Sequence, residues 1–482
     1  MADPMAPIPG VTEAAAPLDV MVQDVTAGGR PRRDTQSPKF VTGPILRHIL
    51  VMTGAGAVGL MSIFSSDLAN MYFLSRSGDE AVVAAVGYAS SILFFTTSIG
   101  IGLSIATTAL VAPALGAGLR IRARRLASHA HLLTFLVASV MALVVWLSIG
   151  PVLTLFGATG RAYALAANYL SILIPTLPML ALGMTSSAVL RSVGDARRAM
   201  TITLAGAVVN TVLDIIFILY FNWGIEGAAY ATSLARIVVM GIGFYGVIAV
   251  HDLMSRPKLA TFGNDLPAFI AIAVPAVLTN IATPVANAYV TSAIAPFGDG
   301  AVAGWAIIGR IIPVAYGAVY ALTGVVGPVL GQNLGARQPA RMKGAFTQSL
   351  FVMCAFTAIA WLLLAIFAEK LAGGFHASAE AQALIVLFCR WLSPLFVFLG
   401  ALFVSNAAFN TLGHAPYSAA LNWGRATLGT VPFVMLGGQW AGAAGVLTGN
   451  MLGGIAFGVA GVWLSYRLID KISRNINGAS SF

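Results

Sequence analysis

The sequence predicts an all-α polytopic membrane protein, with twelve transmembrane helices in two pseudo-symmetric six-helix bundles around a central cavity. Three observations carry this. Hydrophobic residues make up 58% of the chain and charged residues only 9%, with a mean hydropathy of +0.86; a soluble domain carries about 25% charged residues. The apolar residues fall into long segments separated by short loops. The two halves also repeat each other at a nearly constant offset.

Residues 1–40 are polar and rich in Pro, Ala, Asp and Gly, without the apolar core of a signal peptide. They read as a disordered cytoplasmic tail that ends in a basic stretch with Arg30, Arg32, Arg33 and Lys39. Apolar segments then follow over 47–74, 81–113, 127–149, 162–190, 198–221, 227–250, 267–295, 301–331, 345–367, 380–411, 415–436 and 441–466. Each is long enough to cross a ~30 Å hydrocarbon layer, and the longer ones must tilt or bend. The 51 glycines suit close helix packing in lipid.

Loop charge sets the orientation. Arg120, Arg122, Arg124 and Arg125 follow the second segment, Arg197 and Arg198 the fourth, Arg256 and Lys258 the sixth. Arg337, Arg341 and Lys343 follow the eighth, and Arg467, Lys471 and Arg474 the twelfth. The alternate loops carry little net positive charge: Arg76 with Asp79 and Glu80, Arg161, Glu226, Asp299, and Lys370 with Glu369. The positive-inside rule therefore puts both termini in the cytoplasm. The net charge of +10 belongs to this loop pattern, so nucleic acid is not an expected partner.

The repeat is visible residue by residue. Leu115-Gly116-Ala117 returns as Leu334-Gly335-Ala336, an offset of 219 (335 − 116). At the same offset Arg122 and Arg124 fall on Arg341 and Lys343, Pro175 on Pro394, and Gly194 on Gly413. The expected division is the tail at 1–40, an N-terminal bundle at 41–250, a cytoplasmic linker at 251–266, a C-terminal bundle at 267–468, and a cytoplasmic tail at 469–482.

The chemistry centres on Asp214, a carboxylate within the apolar run Val212-Leu213-Asp214-Ile215-Ile216. A charge at membrane depth is costly and usually marks an ion or proton path. Asn210 lies one turn earlier, on the same side of the helix. A second acid, Asp67, lies in the first segment three residues before Asn70, and the two share a helix face. Asp67 and Asp214 sit at similar distances from the outer ends of their segments, as a shared site requires. Arg310, Arg390 and Arg425 lie in apolar segments of the second half; they pair between helices, snorkel or line the cavity. A cavity lined by several arginines would suit anionic substrates.

Other motifs carry nothing. Gly54-Ala55-Gly56-Ala57-Val58-Gly59 fits GxGxxG but sits in a membrane helix with no βαβ unit around it. Cys354 and Cys389 read as packing residues. No nucleophile–base pair or metal cluster supports an enzyme, and no Walker motif supports ATP-driven export.

Several stretches, in this order and topology, resemble the multidrug and toxic compound extrusion (MATE) transporters over about residues 45–470. They are Asn70-Met71-Tyr72-Phe73 with Ala81-Val82-Val83-Ala84-Ala85-Val86-Gly87, Leu115-Gly116-Ala117-Gly118, Leu190 to Arg197, Gly227-Ala228-Ala229-Tyr230-Ala231-Thr232, and Gly331-Gln332-Asn333-Leu334-Gly335-Ala336. The resemblance implies cation-driven export of small organic compounds, cationic or amphipathic, by alternating access. Asn210 and Asp214 match the fifth-helix pair of the DNA-damage-inducible (DinF-like) branch, Thr232 its sixth-helix Thr, and Tyr169 its fourth-helix Tyr. The chain departs from the family where an Asp is usual and Asn70 stands, and where a Pro is usual and Thr53-Gly54-Ala55-Gly56 stands.

The expected site is therefore Asp67, Asp214, Asn210 and Thr232 for cation coupling, with Asp67 replacing the acid absent at Asn70. The coupling ion is H⁺ or Na⁺, the latter on the oxygens of the same four residues, and no other cofactor is expected. Asn70, Tyr169 and Arg236 are expected to line the substrate cavity; Arg236, one turn after Thr232, is also a candidate ion-pair partner for Asp214. A bacterial inner-membrane monomer in contact with lipid is expected. The alternative is a lipid-linked precursor flippase of related architecture.

Overall fold

The computed structural model describes residues 38–75, 80–257, 259–375 and 377–478. These are mostly helical, with no strand among them. The N-terminal bundle comprises α1 (Ile45–Leu74), α2 (Ala81–Gly116), α3 (Arg120–Leu147), α4 (Gly160–Val193), α5 (Ala196–Tyr220) and α6 (Gly224–Val250). The C-terminal bundle begins with α7 (Ala260–Phe297), α8 (Asp299–Ala315 and Gly317–Gly335, bent by 50°), α9 (Pro339–Gly374) and α10 (Ala379–Thr411). A last apolar run, Ala415–Gly478, is long enough for two spans. It reverses at Ala441 and Gly442, where Gly442 takes φ +58°. α11 (415–440) and α12 (443–478) thus form a hairpin. Gly437 lies against the Gly445 backbone and Gly429 against that of Gly453, with no room for a Cβ at either crossing. Twelve spans result among the described residues.

The repeat seen in the sequence recurs in the backbone. Helices start at Glu80 and Asp299, Arg120 and Pro339, Gly160 and Ala379, and Ala196 and Ala415, each pair 219 residues apart (for example 415 − 196). The break in α4, a 3₁₀ turn over Ile174–Thr176, is matched in α10 by Ser393–Leu395. Pro175 and Pro394 cause both: neither can donate a backbone hydrogen bond.

The bundles meet at the end that carries the basic loops. Gly116 of α2 lies on the Gln332 backbone of α8, and Gly335 of α8 on the Pro113 carbonyl of α2. These contacts exchange under the 219-residue offset, so the interface has pseudo-twofold symmetry. Gly56 and Met61 of α1 pack on Ala321 and Gly317 of α8. Gly54–Gly59, the apparent nucleotide motif, therefore has a packing role: Gly56 admits Ala321 and Gly59 admits Thr203 of α5. Before its bend α8 turns to α10 instead, with Gly304 against Ala381. The bend thus parts the outer half of α1 from α8. Pro313 lies three residues before the bend residue Tyr316 and accounts for it.

Three expected boundaries shift. The tail does not extend to residue 40: Phe40 is buried at 1% exposure. Its N–H donates to Gln332 Oε1 at 2.8 Å, and its carbonyl accepts from Arg341 at 2.9 Å. Lys39 donates to the Gly194 carbonyl at 2.8 Å, and Gln332 Nε2 to that of Ser192 at 2.7 Å. The Phe40 main chain thus bonds the C-terminal bundle, while its ring and the Lys39 side chain lie against Gly194 of the N-terminal one. Arg30, Arg32 and Arg33 lie outside the described residues, as do Arg76, Asp79 and Lys258. The linker is shorter than 251–266, because α7 is already helical at Asp265, where His129 and Arg125 of α3 pair with the carboxylate. The C-terminal tail is helical to Gly478, held by buried Ile469 and Ile472.

Candidate functional site

Asp214 ends the α-helical part of α5, which continues as a π-helix over Ile215–Tyr220. Such wide turns recur at functional sites because they re-aim side chains. Asp214 is wholly buried. Its Oδ2 accepts from Asn210 Nδ2 at 2.8 Å and from Asn70 Nδ2 of α1 at 3.0 Å. Its Oδ1 has no partner, and neither has Asn210 Oδ1. Two buried acceptor oxygens therefore lack a donor, a costly arrangement.

Ser66 ties the same corner together. Its hydroxyl accepts from Asn210 at 3.2 Å and Thr211 at 3.1 Å, and donates to the Ala207 carbonyl at 3.3 Å. Ser66 and Asn70 are one turn apart on α1, as Asn210 and Asp214 are on α5. Neither Ser66 nor Thr211 was expected from the sequence. The signal available was spacing alone: Ser66 and Asn70 repeat the four-residue interval of Asn210 and Asp214 on a second helix.

The other expected residues divide. Asp67 is exposed and makes no hydrogen bond among the described residues. It lies close enough to act on Asp214 through its charge, but Asn70, the position whose absent acid Asp67 was expected to replace, makes the direct bond. Thr232 on α6 is half-buried and forms no hydrogen bond to Asp214. Tyr169 is buried in the N-terminal bundle within electrostatic range of Arg236, Asp214 and Asp67. Arg236 makes no ion pair with Asp214. Its guanidinium donates to the Leu173 carbonyl at 2.9 Å and to Thr176 Oγ1 at 3.0 Å, at the Pro175 break. The break frees backbone acceptors that the arginine fills.

The second-half arginines also separate. Arg390 pairs with Glu369 at 2.8 Å on the exposed surface, and Arg310 is exposed. Arg425 is buried at 7% exposure. At the basic end, Asp195 caps α5 by accepting from the Arg198 N–H at 3.1 Å, and it accepts from His251 at 2.8 Å. Burial alone would raise the Asp195 carboxyl, but hydrogen bonds from His251 and Arg198 outweigh it and hold it below the ordinary carboxylate range.

Comparison with known proteins agrees with this arrangement. The MatE family model matches residues 57–216 and 275–436, the two repeats. The chain is 29% identical to the FAD transporter of Shewanella oneidensis over 90% of this chain and 97% of that one. It is 21% identical to the multidrug export protein MepA of Staphylococcus saprophyticus over 92% and 98% of the two chains. Among solved structures, a mutant of the Vibrio cholerae MATE transporter VcmN superposes with a TM-score of 0.83 at 27% identity, covering 89% of this chain and 97% of that one.

Proposed function

Because the chain belongs to the MatE family of membrane transporters, we propose that it exports a small organic compound in exchange for H⁺ or Na⁺, with Asp214 as the coupling group. The observation that carries this is the pair of buried, unpartnered oxygens, Asp214 Oδ1 and Asn210 Oδ1. A proton on Oδ1, or Na⁺ between the two oxygens, supplies what the pair lacks. Either ion changes the hold of Asp214 on Asn70, and with Ser66 that hold is the polar link between α1 and α5. Cation binding then shifts the balance between states open on opposite sides, and substrate must favour one of them for exchange to occur. The two bundles move as rigid bodies about the symmetric crossing of α2 and α8. The basic end faces the cytoplasm of a bacterial inner membrane, with both termini there.

The family's drug exporters favour a cationic or amphipathic substrate. A buried arginine in the C-terminal bundle and the relative named for FAD, a flavin that carries phosphate, favour an anionic one. The direct test is export from proteoliposomes with pH and Na⁺ gradients imposed separately, using a fluorescent cation and FAD as probes. The proposal requires export driven by one gradient and abolished by Asp214→Asn at unchanged expression. Gradient-driven export that survives Asp214→Asn contradicts it.

A further inference from the structure

Arg425 begins the π-helical turn of α11, Arg425–Gly429. It lies about 15 Å from the start of that helix at 1.5 Å per residue, near mid-membrane. Its side chain is buried. One guanidinium nitrogen donates to Thr283 Oγ1 of α7 at 3.2 Å, while Nε has no partner. Tyr320 of α8 is within electrostatic range, and its hydroxyl makes no hydrogen bond among the described residues. No carboxylate pairs with Arg425 among them. Elsewhere in the C-terminal bundle, Glu369 holds Arg390, and Asp265 holds His129 and Arg125. A buried cation without a counter-ion is strongly disfavoured. The helix carrying it is nonetheless rigidly placed, since Asn422 donates to Asn406 Oδ1 at 3.0 Å and Ser418 to Asn410 Oδ1 at 3.2 Å. The Tyr320 ring packs against Phe396 and Phe403 of α10, inside the same bundle.

We propose that Arg425, with the hydroxyls of Thr283 and Tyr320, forms an anion subsite in the C-terminal bundle that holds the phosphate of an organic phosphate. This rests on the export reading above and names the substrate's charge class. A guanidinium edge and two hydroxyls match the several acceptor oxygens of a phosphate ester, and arginine suits planar, two-point recognition of such groups. The cation site on Asp214 and the anion subsite on Arg425 then lie in opposite bundles. Rigid-body motion changes the distance between them, so each can sense the state of the other.

The test is binding of FAD, ADP and riboflavin to the full chain in phosphatidylcholine nanodiscs, for the wild type, Arg425→Lys and Arg425→Gln. Melting temperature serves as the check on folding. FAD and ADP are expected to bind ~10- to 100-fold more weakly to Arg425→Gln and to be partly rescued by Arg425→Lys; riboflavin, which lacks phosphate, is expected to be unaffected. Equal FAD affinity in wild type and Arg425→Gln overturns the subsite, as does failure of any phosphate to bind. A phosphatidylglycerol arm separates the sources. Competition by that lipid, or its Arg425-dependent retention when FAD does not bind, keeps the subsite and makes a headgroup the occupant. Arg425-dependent FAD binding without gradient-driven export defeats only the coupling reading. Gradient-driven export with Arg425-independent binding defeats only the subsite.

Discussion

Asp214 accepts two amide donors on one oxygen and none on the other, and this asymmetry gives its neighbours different expected effects. Asn70→Ala removes the donor from α1, a charge-assisted bond worth about 1.5–3 kcal/mol. It should uncouple α1 from α5, so that transport falls while the fold persists; wild-type transport in Asn70→Ala would contradict this. Ser66→Ala removes a neutral hydroxyl and should cost about 1 kcal/mol in melting with coupling kept. At the basic end, the Asp195 carboxyl is held below its ordinary value, so its sign is fixed. Its contribution to stability is fully present above the unfolded value near pH 3.9 and is lost as pH falls through the folded one. Asp195→Asn should therefore flatten the acid limb of a stability profile below about pH 4; an unchanged limb would show that the cap is not felt. Asp214 and Asn210 were legible in the sequence because a carboxylate one turn from an amide stands out in an apolar run. Ser66 was not, because serines in membrane helices commonly bond their own backbone, as Ser62 does to Val58 at 2.8 Å. The expectation that Arg236 faces Asp214 failed for a related reason: the acceptor it uses is a backbone carbonyl at the Pro175 break, which side-chain spacing does not reveal.

At the scale of the element, hydropathy and the loop charges gave all twelve spans, with most ends within a few residues, while α3, α7, α9 and α12 run further than expected, α12 by twelve residues at its end (478 − 466). The repeat was legible as well, since Pro175 and Pro394 fall at matching breaks. The π-helical turns at Ile215–Tyr220 and Arg425–Gly429 left no mark in composition, because a one-residue expansion of the helix alters no hydrophobic period. The α11–α12 hairpin was legible as two segments, and its reason appears only in the crossing of Gly429 with Gly453 and of Gly437 with Gly445. Gly445→Leu drives a side chain into the Gly437 backbone. Overpacking of this kind costs about 1–3 kcal/mol or more, so the variant should melt lower and lose transport. A wild-type melting temperature would show that the two helices are not held at that distance.

Across the whole molecule, the two bundles close on each other at the basic end, and the residues just before α1 take part. Lys39 reaches Gly194 of one bundle, while Phe40 reaches Gln332 and Arg341 of the other. A polar, Pro- and Gly-rich stretch gives no warning that Phe40 is buried between two repeats, and the reading of a disordered tail up to residue 40 fails at that point. Replacing a buried Phe by Ala costs about 3–5 kcal/mol, enough to move a two-state balance substantially. Phe40→Ala should shift the molecule toward a state open at the basic end. Spin labels at positions 118 and 337, in the two matching loops, should then report longer distances; an unchanged distance distribution would remove the segment from the transport cycle.

The central claim is that one carboxylate exchanges a cation for substrate. The measurement that tests it most directly is simultaneous recording of cation entry and substrate exit in proteoliposomes, for wild type and Asp214→Asn. The account predicts a fixed ratio of H⁺ or Na⁺ entering per substrate leaving in the wild type, and neither flux in the variant. Substrate exit with no accompanying cation, or a fixed ratio that persists without the Asp214 carboxylate, would contradict it.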